Sequence, residues 1–169
     1  DDPRAERENS ITHVVGVVLA LVAFVVILLR LPSVESVSLK VGLVVWALTM
    51  ILLYGASALY HGLPYGNAKR ICRILDHSNI YFLIAGTYTP LMLSIGTPTA
   101  HMLVILVWAI ALLGIVFSLV FWGRLKALHV FFYLAMGWLI VFFWKDIIPY
   151  LSEGLLVWVI AAGLTYSIG

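Results

Sequence analysis

Three side chains able to do chemistry stand at the shoulders of one stretch, SALYHGLPYGNAKRICRILDHSNIYFLIAGTYTP, which runs from Ser57 to Pro90 between strongly apolar flanks. Ser57 offers a hydroxyl, His61 an imidazole and Asp76 a carboxylate. An ionisable side chain at membrane depth is expensive, so it marks a functional site by default. A carboxylate such as Asp76 is tolerated there only against a partner, a metal or water. Ser57 and His61 are i, i+4 and so lie one turn apart on one helical face. In isolation that pair is a weak motif. Its plain alternative is a packing seam, with Gly55, Ala56 and Ala58 admitting a neighbouring helix and the histidine resting at the interface.

The elements that must carry these residues are set by composition. Of 169 residues 63% are hydrophobic and 11% charged, and the mean hydropathy is +1.10. Soluble domains carry about 25% charged residues. Uncharged runs cover 9–29, 41–68, 77–123, 127–144 and 154–169. A spanning helix needs roughly 20 apolar residues, and the run from 77 is divided by Gly96-Thr97-Pro98-Thr99. The expected architecture is an all-α, polytopic transmembrane helix bundle in a single domain. Its visible spans are about 10–30, 41–61, 76–95, 101–122, 128–145 and 154–169, the sixth cut short. A transmembrane barrel is excluded, because barrel strands alternate and are far shorter. The first run reads as a retained helix and not a signal peptide: its head DDPRAERENS is mixed in sign and no small-residue cleavage site precedes Arg30. The single cysteine, Cys72, excludes an internal disulfide.

Basic residues orient the bundle. Arg4, Arg7, Lys69, Arg70, Arg73, Arg124 and Lys126 fall on one side, and Arg30, Lys40 and Lys145 on the other. Seven against three makes the first side cytoplasmic, with the N-terminus inside. His61, Asp76, the group Glu8-Asn9-Ser10-Ile11-Thr12-His13 and His129 then gather at that face, while His101 faces the opposite compartment.

Other residues are less specific. Asn9, Thr12, His13 and Gly16 share one helical face, whose plain reading is an N-terminal cap with interfacial anchoring. Gly62 to Asn67 reads as a loop, followed by a short interfacial basic helix that carries Lys69, Arg70 and Arg73 and suits anionic headgroups. His77 and His129 read as interfacial, and Thr89-Pro90 as a kink or the end of the regular helix. Gly114 and Ser118 suit a close helix contact, and Trp108, Trp122, Trp138, Trp144 and Trp158 mix belt and core positions. No nucleotide loop, conventional Ser-His-Asp triad or nucleic-acid surface is present in the sequence.

Taken together, E-N-x-x-T-H (Glu8 to His13), S-x-x-x-H (Ser57 to His61) and D-H-S-x-I…A-G-x-Y-T-P (Asp76 to Pro90) resemble the bacterial hemolysin III family, of the seven-span progestin and adipoQ receptor group. The likeness covers essentially the whole chain. It implies a seventh helix, location in the bacterial inner membrane, and a zinc site near the cytoplasmic surface. In that site the position of His61 is a metal ligand, that of Asp76 holds the zinc-bound water, and that of Ser57 lies beside it. Two further ligands belong to an H-x-x-x-H pair on the seventh helix. No such pair occurs in these 169 residues, which stop at Gly169 within the sixth span. The chain therefore reads as a shortened form.

The resemblance points to zinc-dependent hydrolysis of a lipid amide or ester from the cytoplasmic leaflet, as in the similar alkaline ceramidases. Membrane lipids are the expected partners, one of them as substrate or ligand, and no nucleic acid is expected. Two alternatives stand beside this: a lipid-sensing receptor with a structural zinc, and a pore-forming or haemolytic protein. A pore needs a polar lining across the whole membrane, whereas these polar residues gather at one end.

Overall fold

A computed structural model describes residues 2–121 and 126–168, apart from the side chains of 126 and 127. Among the described residues the regular structure is entirely helical. Helix α1 (Pro3–Arg30) begins at Asp2, whose carboxylate accepts the Arg4 N–H at 3.0 Å, with Pro3 in the first turn. Asn9 and Thr12 are therefore interior to α1, and the cap expected of them belongs to Asp2 instead. A short 3-10 turn (Leu31–Ser33) leads to α2 (Val37–Gly62), where the Ser36 hydroxyl accepts the Leu39 N–H.

Helix α3 (Asn67–Ile95) is continuous. The basic segment after the Gly62–Asn67 loop is its first turns and not a separate interfacial helix. Pro90 lies inside α3, and the helix ends later, at Gly96, whose φ of 70° is left-handed and suits a residue without Cβ. Thr97 then caps α4 (Pro98–Val120) by accepting the Ala100 N–H. The expected division at 96–99 is thus a tight turn between two helices.

The fifth expected span is not one regular helix. Helix α5 (Lys126–Gly137) gives way to a 3-10 segment (Leu139–Phe143), a short α6 (Trp144–Ile147) and a second 3-10 turn at Pro149. Glycine and proline lower helix stability at these points. Tyr88 of α3 holds the break: its hydroxyl donates to Gly137 O at 2.9 Å and accepts the Ile140 N–H at 3.0 Å. Helix α7 (Glu153–Ile168) follows, tied back by Trp138 Nε1 donating to Ser167 Oγ at 2.9 Å.

Among the described residues four stretches are long and apolar enough to cross a membrane: Pro3–Ser33, Val37–Gly62, Pro98–Val120 and Leu128–Tyr150, with Glu153–Ile168 shorter. The protein is a polytopic helical membrane bundle. Helix α1 buries only Ala20, and its Leu19 and Leu29 are 64% and 75% exposed, which suits lipid and not water.

Helix α3 is the axis, and it meets α2 and α4 most extensively. Its crossing with α2 is close because Gly42 faces the Pro90 backbone and Gly86 faces Thr49, leaving no room for a Cβ at Gly86. On the other side the Tyr81 ring lies against Gly114, so the small residue expected at a helix contact is at one. The apolar core grows from there: Tyr81, Ala85 and Met92 of α3 against Leu103, Val107 and Ala111 of α4, closed by Met136 and Ile147.

Candidate functional site

The site lies where the start of α1, the end of α2 and the start of α3 meet. Helix α1 docks on α2 through Gly16, which lies under the Tyr54 ring, and through Ser10, whose hydroxyl donates to Ala58 O at 3.2 Å. This register brings His13 of α1 beside His61 of α2, with ring centroids 5.7 Å apart and planes tilted by 44°. The Nδ1 atoms of both rings are buried without a hydrogen-bond partner. The nearest acidic group to His61 Nδ1 is Glu6 Oε2, at 3.5 Å, an electrostatic contact too long for a strong hydrogen bond.

Ser57 is 2% exposed, one turn before His61 and inside the bundle. Asp76 is largely covered, and its Oδ2 lies 3.5 Å from His77 Nδ1. His77 also contacts Arg73 O through Nδ1 at 2.9 Å, and its ring meets Tyr60 edge-on at 6.4 Å. It thus has local protein partners while remaining half exposed.

Lys69 departs from the expected headgroup role. It is 7% exposed, and its Nζ donates to Glu6 Oε2 and to Tyr60 O, the latter at 2.8 Å. Its ammonium also lies 4.9 Å from the Tyr60 ring centroid. This buried cation fastens the head of α1 to the turn between α2 and α3. Glu6 precedes the apolar run of α1, and the Lys69 hydrogen bond holds its carboxyl below the ordinary value of 4.5.

Two expected positions lie elsewhere. His101 is in the first turns of α4, at the opposite end of α3 from Asp76. His129 has partners within the bundle: its Nδ1 lies 3.2 Å from Tyr81 Oη, and its ring packs on Phe117 with centroids 5.2 Å apart. Tyr133 completes that aromatic group and donates to His77 O at 2.9 Å. Trp122, Arg124 and the side chain of Lys126 lie outside the described residues, as does Gly169.

The haemolysin-III related family model matches residues 3–169. The chain is 37% identical to the hemolysin-3 homolog of Bacillus subtilis (strain 168) over 167 residues, 98% of this chain and 78% of that protein. It is 34% identical to hemolysin-3 of Bacillus cereus, again over 98% of this chain and 76% of that protein. The chain belongs to the haemolysin III family. No solved structure matches it.

In this haemolysin III family chain an open cavity of about 430 Å³ adjoins His61, lined among others by Glu6, Arg7, Ser10, Tyr65 and Lys69. It opens beside the head of α1. Among the described residues no three His, Cys, Asp or Glu side chains cluster closely enough to hold a metal. The donors on offer are the two partnerless imidazole nitrogens, one fewer than the three protein ligands of a catalytic zinc. They suit part of such a site. The sequence singles out no role for Glu6, and it places His13 in the polar group at the head of α1 and at the end of E-N-x-x-T-H, with a cap as its plain reading. The shared face of Asn9, Thr12, His13 and Gly16 was legible, but its partner helix was not.

Proposed function

We propose that this integral membrane protein is a zinc-dependent hydrolase acting on a lipid amide or ester at the cytoplasmic side, with its N-terminus in the cytoplasm of a bacterial cell. The observation that carries this reading is the buried, partnerless Nδ1 of His61, with a carboxylate-bearing helix beside it. A buried polar atom in a native bundle without a partner calls for an explanation such as an ion. The family resemblance supplies the same residue as a metal ligand.

In this reading His61 is one ligand, and the two remaining histidines come from a helix outside these 169 residues. Zinc, when bound, makes hydroxide available near neutral pH. Asp76 orients the attacking water and takes its proton. Ser57, buried and one turn from His61, donates to the oxyanion that develops at the substrate carbonyl. The lipid tails stay in the bilayer, while the headgroup enters through the cavity beside Glu6 and Lys69.

The test is metal analysis and lipid-amide turnover of the purified full-length protein in nanodiscs. One zinc per chain is expected, with its loss in His61→Ala. Asp76→Ala is expected to retain zinc and lower turnover about 100-fold or more, the scale of a lost general base. Wild-type levels of zinc and turnover in both variants would refute the assignment. Zinc without turnover would favour the lipid-sensing alternative.

A further inference from the structure

We propose that the cavity at the head of α1 is a binding site for an anionic phospholipid, with the phosphodiester on Arg7 and Lys69 and an acyl chain along the outer face of α1. The proposal rests on the hydrolase reading only for the route of the headgroup, and it requires neither metal nor turnover.

Charge selects the ligand. At about 430 Å³ the cavity falls within the range of small-ligand sites, roughly 300–1,000 Å³. Its charged walls are Glu6, Arg7 and Lys69. Two cations against one carboxylate leave a single positive charge, which a phosphodiester matches. Glu6 is already held by Lys69. The Arg7 guanidinium has no ion-pair or hydrogen-bond partner among the described residues. Its planar fork suits two phosphate oxygens at once.

Lys69 supplies a second donor. An ammonium carries three N–H groups, and Lys69 uses two of them on Glu6 Oε2 and Tyr60 O. The third is left for a ligand in the cavity that Lys69 lines. The ammonium lies 4.9 Å from the Tyr60 ring centroid and 5.5 Å from that of Tyr65, so it is fixed in place. Being buried, it is screened by salt far less than a surface lysine.

Depth and shape favour a lipid over a free anion. Helix α1 has 28 residues and is about 42 Å long, close to a bilayer with its headgroup zones at about 40–45 Å. Its first turns, with Glu6 and Arg7, therefore stand at headgroup level. Arg7, Ile11, Val14 and Val18 follow at i, i+4, i+7 and i+11 and share one helical face. Ile11 lines the cavity, and Ile11, Val14 and Val18 are all exposed. From Arg7 to Val18 the rise is about 16 Å, one leaflet of a hydrocarbon core about 30 Å thick. A cation above one leaflet of exposed apolar surface is complementary to a phosphate above an acyl chain. The ammonium of a zwitterionic headgroup would instead meet Arg7 and Lys69 as like charges.

The test uses the full-length protein, delipidated in detergent with a metal chelator present. Native mass spectrometry counts bound lipid as phosphatidylglycerol or phosphatidylcholine is added. One phosphatidylglycerol per chain is expected to bind saturably, about 10-fold or more tighter than phosphatidylcholine. Arg7→Gln is expected to weaken it about 10-fold or more, the scale of a lost charge-assisted hydrogen bond. Arg70→Gln removes an exposed cation that does not line the cavity, and affinity is expected to stay within about twofold of wild type. Arg7 is exposed too, and helicity checks that both variants are folded. Equal losses in the two variants, or equal binding of the two lipids, would reveal a diffuse basic surface and overturn the site. Inorganic phosphate that binds as tightly and displaces the lipid would overturn the lipid assignment. Arg7-dependent lipid binding in a chain that holds no zinc upholds this proposal and removes the hydrolase reading. Zinc and turnover without Arg7-dependent lipid binding do the reverse.

Discussion

The two ends of α3 are built to opposite rules. Towards its middle and C-terminal part, among α4, α5 and α6, the described polar groups are closely paired. Tyr88 bridges Gly137 O and Ile140 N, and Trp108 Nε1 donates to Thr89 Oγ1 at 3.0 Å while Thr89 itself donates to Ala85 O. Near the N-terminus of α3 the bundle leaves His13 Nδ1, His61 Nδ1 and Ser78 Oγ buried and partnerless. In a medium without water an unpaired group is costly, so the first region is organised for stability and the second departs from that optimum. Such local departures are expected at functional sites.

The contrast can be tested by mutation. Tyr81 is fully buried against Gly114 and Tyr133, so Tyr81→Ala is expected to destabilise by about 3–5 kcal/mol in a denaturant or steric-trapping titration. Tyr88→Phe keeps the ring but orphans two backbone groups, and a loss of about 1–3 kcal/mol is expected by the same titration. His61→Leu removes an atom that has no hydrogen-bond partner to lose, so stability without metal is expected to stay within about 1 kcal/mol of wild type, on either side. A loss at His61 as large as that at Tyr81 would erase the distinction between the two regions.

The smallest effect concerns pH. The Glu6 carboxyl titrates below its ordinary value of 4.5 because Lys69 favours the ionised form. Its contribution is therefore fully present above about pH 4.5 and is lost as pH falls through the lowered value. Hydrogen exchange of the α1 head is expected to accelerate over that acid range in wild type and to be insensitive to it in Glu6→Gln. An unchanged acid response in that variant would locate the anchor elsewhere.

Most of the architecture could be read from the chain because lipid imposes a length and polarity rule on every span. The turn at Gly96, the α2–α3 loop and the contact at Gly114 followed from local chemistry. The breakdown of the fifth span did not, because it depends on Tyr88, a side chain from another helix. The burial of Lys69 was equally hidden: its partner, Glu6, is 63 residues away, and a basic residue near a span end ordinarily faces headgroups. For the site, the spacing of Ser57 and His61 fixed their common face, and the cost of a membrane carboxylate singled out Asp76. The packing of His13 against His61 was not legible, because it depends on how α1 is rotated against α2.

That rotation has a mechanical corollary. Helix α1 is held chiefly along α2, and its tightest packing is Gly16 under Tyr54. Helices respond to a change in bilayer thickness by tilting, and a tilt of α1 has its fulcrum at this contact. At about 1.5 Å of rise per residue, His13 stands only about 4.5 Å from the fulcrum and Glu6 about 15 Å. The Lys69 clamp on Glu6 restrains that outer end, so α1 is pinned on both sides of His13.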